Sequence, residues 1–228
     1  MSPATHLGQL QAEGFALLRS VVSASTLASL IQEAERLSHE NPHNAHGIRS
    51  LLERSAMIAS WAGSAEILAL LPKGVQPVRG ILFDKTEDAN WKVPWHQDLT
   101  ITVAEQVLTP DYGPWSVKED TMHVQPPISV LEGMVTLRLH LDDTPEWNGA
   151  LRVLPASHQL GRLGAEQIQD LKTRIQERVC SAAAADVLLM KPLILHASSA
   201  STRPGHRRVV HVEYARKDLL HPLLSWNG

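Results

Sequence analysis

The hydrophobic rhythm of the chain changes near residue 76, dividing it into two textures. Before that point apolar positions recur at helical spacing. In "SASTLASLIQEAERLSHE", Ser25 is placed to cap a helix whose Leu27, Leu30, Ile31, Ala34 and Leu37 share one face. "GIRSLLERSAMIASWAG" predicts a second helix and "SAEILALLP" a short third. Such stripes bury one support face, so the first seventy or so residues read as helical.

After it, "VRGILFDK", "DLTITV", "EGMVTLRLHLDD", "GALRVLPAS", "DVLLMKPLILHASS" and "RRVVHVEYA" are short, rich in β-branched residues and separated by Gly, Pro, Asn and Asp. Successive strands without a helix between each pair predict a sandwich or barrel rather than a parallel sheet. One helix interrupts them, "AEQIQDLKTRIQERV", with Ile168, Leu171, Ile175 and Val179 in register. The segment from Thr109 to Pro127 carries five prolines and glycines, too long for a plain turn, and reads as a lid. The expectation is a mainly β chain with flanking helices. It forms one domain over 1–228, with helical support over about 1–75 and a β core over about 76–218.

Composition narrows the function classes. The 228 residues are 43% hydrophobic and 20% charged, ordinary for a globular protein. A net charge of −3, with basic residues scattered apart from the run Arg203 to Arg208, gives no footprint for nucleic acid. Cys180, the single cysteine, excludes an intrachain disulfide, and beside four alanines it reads as a buried thiol rather than a nucleophile. No run approaches the ~20 apolar residues of a membrane span. The start, "MSPATHLGQLQAEG", lacks the basic-then-apolar pattern of a signal peptide. A cytoplasmic protein with neither nucleic acid nor membrane as partner is expected; oligomeric state stays open. There is no G-x-G-x-x-G, Walker loop, G-x-S-x-G or C-x-x-C.

The candidate chemistry lies in "WKVPWHQDLT", where His96 and Asp98 stand two apart. On a strand both face one side and Gln97 the other. In a chain with twelve histidines the pair alone proves nothing. Two imidazoles and one carboxylate on one face of a metal make a site for redox-active iron with open positions. "PLILHASSAS" offers His196, at the end of an apolar strand, as a third ligand; a hydrogen-bonded structural histidine is the alternative. Arg207 opens another apolar strand eleven residues later. A guanidinium aimed into a barrel needs an anionic partner, and a dicarboxylate meets that need with a bidentate contact. Arg208 has the opposite parity and is expected to face solvent or the outer helices.

Together His96-x-Asp98, His196 and Arg207 resemble the phytanoyl-CoA hydroxylase-like group of Fe(II)/2-oxoglutarate-dependent oxygenases. "EGFALLRSVVSASTLASL" is similar to that family's opening, "LHLDDTPEWNGALRVLPASHQLG" to its central strand pair and "PLILHASSASTRPGHRRVVHVEY" to its closing segment. The resemblance implies a double-stranded β-helix, or jelly roll, buttressed by the N-terminal helices. It implies Fe(II) on His96, Asp98 and His196, with 2-oxoglutarate chelating the iron. It also implies Arg207 on the C5 carboxylate, and Ser198, on the strand parity of His196, as a hydroxyl contact to that carboxylate. With O2, the implied reaction hydroxylates an unactivated C–H of a small molecule, a carboxylated metabolite among the candidates, and releases succinate and CO2. In related halogenases a small residue stands where Asp98 does, so Asp98 favours hydroxylation. Two other readings are a cupin-like metal lyase or isomerase, which needs neither Arg207 nor O2, and a non-catalytic jelly-roll binding protein.

The strand "MVTLRLHL" sets Thr136, Arg138 and His140 on one face, which looks either into the barrel or to solvent. Facing inward, Thr136 or Arg138 touches cosubstrate or substrate, and Arg138 suits an anionic substrate. Trp91, Lys92 and Trp95 before the ligand pair, with Trp115 and His123 in the lid, are candidate substrate contacts; packing is the competing role for the tryptophans. His158 reads as structural and His140 as a weaker rival for the third ligand position. His206 and His211 read as supporting or surface residues.

Overall fold

The computed structural model describes residues 3–41, 47–203 and 205–227. The helices are α1 (Pro3–Glu13), α2 (Ala24–Glu40), α3 (Leu51–Arg54), α4 (Ala56–Ala62), α5 (Ala65–Leu68), α6 (Ile128–Gly133) and α7 (Ala165–Arg174). The first six strands are β1 (Phe15–Leu18), β2 (Val75–Lys85), β3 (Val93–His96), β4 (Ile101–Val103), β5 (Trp115–Lys118) and β6 (Thr121–Val124). They are followed by β7 (Val135–His140), β8 (Leu151–Val153), β9 (Arg178–Cys180), β10 (Val187–Met190), β11 (His196–Ser198) and β12 (Arg207–Arg216).

Two antiparallel sheets face each other, one ordered β1-β10-β7-β12-β2 and the other β3-β11-β8-β9. This is the jelly roll, with the N-terminal helices on the outer face of the five-stranded sheet. Strand alternation divides its residues. Val135, Leu137, Leu139, Val210, Val212 and Tyr214 point outward into a core shared with Leu30, Ala34 and Leu37 of α2. The Tyr214 hydroxyl donates to the carbonyl of Ala62, tying sheet to helix at 3.0 Å. Between the sheets, Leu188 and Met190 meet Leu151, Val153 and Ile194. Cys180 is buried there, and burial pushes its thiol up to about 12.

Several boundaries differ from the periodicity. Helix α2 is capped by Ser23, whose hydroxyl accepts from the Thr26 amide at 3.1 Å, rather than by Ser25. "FALL", inside the stretch read as helical, is β1: Gly14 turns the chain at φ +84° and β10 supplies a ladder, Ala16 opposite Leu189. Ser55 splits the second predicted helix into α3 and α4; its Oγ caps Ile58 and donates to Glu33. Helix α7 ends at Arg174, and Val179, expected on its apolar face, is an exposed residue of β9 opposite Arg152. Ile168, Leu171 and Ile175 do pack together, against Leu154, Leu163 and Leu195.

The expected lid is not a loop. β5 and β6 form a hairpin closed at Glu119 and Asp120, both with positive φ (48° and 60°), the twist a two-residue hairpin turn requires. Through β6 it pairs with β4, and Trp115 packs into an apolar plug with Val124, Ile101, Met134, Leu220 and Leu224. That plug closes one end of the jelly roll and reaches beyond residue 218. Among the described residues, no helix is long and apolar enough to cross a membrane.

Candidate metal centre

His96 ends β3 and His196 opens β11, and the two are direct register partners, with ring centroids 4.1 Å apart. Asp98 lies just past the strand, where its amide donates to the Pro192 carbonyl at 2.9 Å. Between the ligands Gln97 turns away, as the alternation predicts. Its amide donates to the carbonyls of Gly161 and Leu193 at 2.8 and 2.7 Å, and its oxygen accepts from the Leu163 amide at 2.8 Å. This buried clamp fixes the backbone that presents His96 and Asp98.

Each imidazole is oriented in the same way. Nδ1 of His96 bonds to the Pro94 carbonyl and Nδ1 of His196 to the Ile194 carbonyl, both at 2.9 Å. A carbonyl only accepts, so each Nδ1 carries the proton and each Nε2 keeps its lone pair. Those Nε2 atoms lie 3.6 and 3.7 Å from the two oxygens of Asp98, and the three donor atoms fall within 4.8 Å of one another. The His196 side chain is buried, whereas His96 and Asp98 keep 36% and 31% of their side-chain surface, leaving one side open to added ligands.

The electrostatics suit a divalent cation. Burial would raise the Asp98 carboxyl, but His196, His96 and His211 hold it well below the usual carboxylate range. Burial lowers His196 to about 4, with Asp98 only partly opposing. Burial also acts to lower His96, yet the hydrogen bond and charge of Asp98 prevail and leave it raised. An anionic oxygen and two pre-oriented imidazoles form the two-histidine, one-carboxylate donor set of non-haem iron sites.

A second group stands beside it. Arg207 opens β12 opposite Lys85, the last residue of β2. Arg207 Nη1 donates to the Gly149 carbonyl at 2.5 Å, while its Nε is buried without a partner. Lys85 Nζ donates to the Ser199 carbonyl at 2.8 Å and to Ser198 Oγ at 3.3 Å, and lies 5.4 Å from the centroid of the Trp91 ring. Burial, then the charge of Arg138, lowers Arg207 to about 9; burial, then Arg207 and Arg138, lowers Lys85 to about 7. Among the described residues no carboxylate pairs with Lys85, Arg138 or Arg207; ion pairs on the same strands go to Arg79 and Arg208 instead. Two buried cations and a hydroxyl thus converge on a space that needs an anion. Lys85 was missed in the sequence. Its inward strand parity was a signal, but its pairing with Arg207 was not visible.

The polar face of β7 points inward, resolving the two options. Arg138 Nη1 donates to His211 Nδ1 at 2.8 Å, so His211 carries its proton on Nε2, which faces Glu213 at 3.5 Å; Glu213 in turn accepts from Arg79 at 3.0 Å. Thr136 needs correction as a cosubstrate contact. It faces Glu213, six residues along β12 from Arg207 and so about 20 Å from that pole. His123 likewise falls in the far group. Buried with neither ring nitrogen bonded, it is lowered to about 4 by burial, then by Arg79.

The tryptophans separate. Trp91 lies by Lys85. Trp95, on the opposite side of β3 from His96, packs on Leu154 and Leu195 under the Arg152 guanidinium, which removes it from the substrate contacts. Trp115 is held in the plug, for the same reason of buried apolar area, and Lys92 is exposed. His140 bonds Thr144, His158 the Gln11 carbonyl and His206 Asp84, so none of them joins the metal group. Arg208, as its parity predicted, turns to Asp142 and to Glu35 of α2.

A model of the phytanoyl-CoA dioxygenase (PhyH) family matches residues 10–209. The chain belongs to this family. The epimerase SnoN, in complex with Fe3+, alpha ketoglutarate and nogalamycin RO, superimposes with a TM-score of 0.72 at 15% identity, covering 95% of this chain and 84% of SnoN. EctD from S. alaskensis with bound Fe gives 0.72 at 17% identity, covering 93% and 76%. HygX from Streptomyces hygroscopicus, with nickel and 2-oxoglutarate bound, gives 0.67 at 16%, covering 94% and 87%. At these identities the likeness is one of fold. No curated protein matches the chain.

Proposed function

We propose that this oxygenase-family member is a 2-oxoglutarate-dependent dioxygenase that hydroxylates an unactivated C–H of a small molecule and releases succinate and CO2. One observation carries the reading. A three-residue N,N,O donor set stands beside a buried pole of Arg207, Lys85 and Ser198 with which no carboxylate pairs among the described residues. His96, Asp98 and His196 would hold Fe(II); Arg207, Lys85 and Ser198 would take the distal carboxylate of 2-oxoglutarate. Bound there, the iron supplies the activation of O2 that the side chains cannot.

The chain's own residues do the rest. The Pro94 and Ile194 carbonyls orient the imidazoles, so that both Nε2 atoms are turned toward Asp98. Gln97 holds the spacing between His96 and Asp98. Arg207 and Lys85 orient the cosubstrate by charge, and the Gly149 carbonyl steers the Arg207 fork. Burial of the pole excludes the water that would weaken those contacts.

Anaerobic titration of the metal-free protein with Fe(II), then 2-oxoglutarate, tests this. The expected result is a visible charge-transfer band that is absent in His196→Ala and needs about tenfold or more cosubstrate in Arg207→Ala, a loss of about 1.4 kcal/mol or more. Bound iron without a band in the wild type would defeat the proposal and leave a metal lyase. SnoN is an epimerase and SnoK a carbocyclase, so product mass decides the outcome: one added oxygen supports hydroxylation, an isomer or ring overturns it.

A further inference from the structure

The chamber holds more positive charge than the cosubstrate balances, and one of its cations, Arg138, stands outside the hydrogen bonds that gather Arg207 and Lys85. Lys85 and Arg207 meet at Ser198 and Ser199, at one end of β12. Arg138 faces His211, four residues along that strand, or about 13 Å in register from Arg207. Its charge is felt at the metal ligands: it lowers His196, and Asp98 acts on Arg138 in return. Its charge also reaches Arg207 and Lys85, but its hydrogen bond goes to His211 and not to the groups that hold those two. A divalent metal is neutralised by Asp98 together with one carboxylate of 2-oxoglutarate. The second carboxylate is met by Arg207 and Lys85. Arg138 is left without an anion.

We propose that Arg138 reads a carboxylate on the molecule being oxidised, so that the substrates are small organic acids held by that group beside the metal. The proposal rests on the oxygenase reading above. Three features support it. Arg138 is buried, yet its Nε has no partner and no carboxylate pairs with it among the described residues. A bond chain fixes its direction: one amino group is spent on His211, His211 is turned by Glu213, and Glu213 is anchored by Arg79. Its guanidinium carbon also lies 5.5 Å from the centroid of the half-buried Phe83 ring, which supports the plane of the fork. A guanidinium held this way presents its remaining N–H groups to a planar, bidentate acceptor.

The test uses the protein loaded anaerobically with Fe(II) and 2-oxoglutarate. Each probe acid is paired with its primary amide: octanoate with octanamide, phenylacetate with phenylacetamide. Binding is read from the change in the charge-transfer band and from thermal shift. At least one acid is expected to bind about tenfold or more tightly than its amide. Arg138→Met should abolish that preference while leaving 2-oxoglutarate affinity within about twofold, and Arg138→Lys should keep part of it. Two results overturn the proposal: no acid outbinds its amide, or Arg138→Met weakens 2-oxoglutarate itself by about tenfold, which makes Arg138 a cosubstrate contact. Should the Met variant not fold, Arg138→Gln gives the same comparison with a polar side chain. Failure of the oxygenase reading shows earlier and separately, as the absence of any 2-oxoglutarate band in the wild type before a probe is added.

Discussion

The buried amine of Lys85 illustrates how one side chain couples the site to pH. Its ordinary value is 10.5, and burial with two neighbouring guanidiniums brings it to about 7. In the free protein it is charged below that pH and neutral above it. An anionic cosubstrate favours the charged form, so affinity is highest below pH 7 and falls by up to about tenfold per pH unit above it. Calorimetric titration of 2-oxoglutarate between about pH 6 and 9 should show that slope in the wild type. Lys85→Met should bind more weakly and lose the slope around pH 7, keeping only a fall toward pH 9 as Arg207 titrates; an unchanged slope around pH 7 would assign it to another group. Asp98, His96, His196 and Arg207 were legible as candidates because chemistry restricts which residue types such a site can use. Lys85 was not, because its role comes from Arg207 across a strand pair.

Among the elements, the turn that ends at Gly149 does more than connect strands. Gly149 adopts φ +68°, and a Cβ there would stand 2.5 Å from the Ser199 carbonyl, while its own carbonyl receives Arg207. Gly149→Ala should therefore cost about 1–2 kcal/mol from the left-handed conformation alone, with the clash adding to it. Urea unfolding reads that loss. Calorimetry should show weaker 2-oxoglutarate binding in the same protein, since the acceptor steering Arg207 moves. Wild-type stability and affinity in the variant would show that the loop yields without cost. Elements with strong periodicity, α2 and β12, were readable. β1 and the β5–β6 hairpin were not: "FALL" is a strand only because β10 lies beside it, and the Glu119–Asp120 turn lacks the glycine that marks such turns.

Across the whole molecule, buried histidines set the acid limit. His123 and His140 are lowered to about 4 and about 3, mainly by burial. Both values lie below the ordinary 6.5, so the unfolded chain takes up protons first as pH falls. Their stabilising contribution is complete above about pH 6.5 and is lost through the window from there to about 3–4, at roughly 1.4 kcal/mol for every tenfold weakening of a ring's proton affinity. The urea midpoint of the metal-free protein should fall steeply between pH 6.5 and 4, and less so in His123→Leu. A flat profile would show that these rings are hydrated in the native state.

The sequence by itself determined the strand alternation, the helical support and the residue types of the candidate metal centre, because periodicity and ligand chemistry are local properties. The tertiary structure decided what lies opposite what. It turned the polar face of β7 inward, set Lys85 against Arg207, and withdrew Trp95 and Trp115 into packing. Register and burial settle those outcomes, and both belong to pairs of strands rather than to any one stretch of chain.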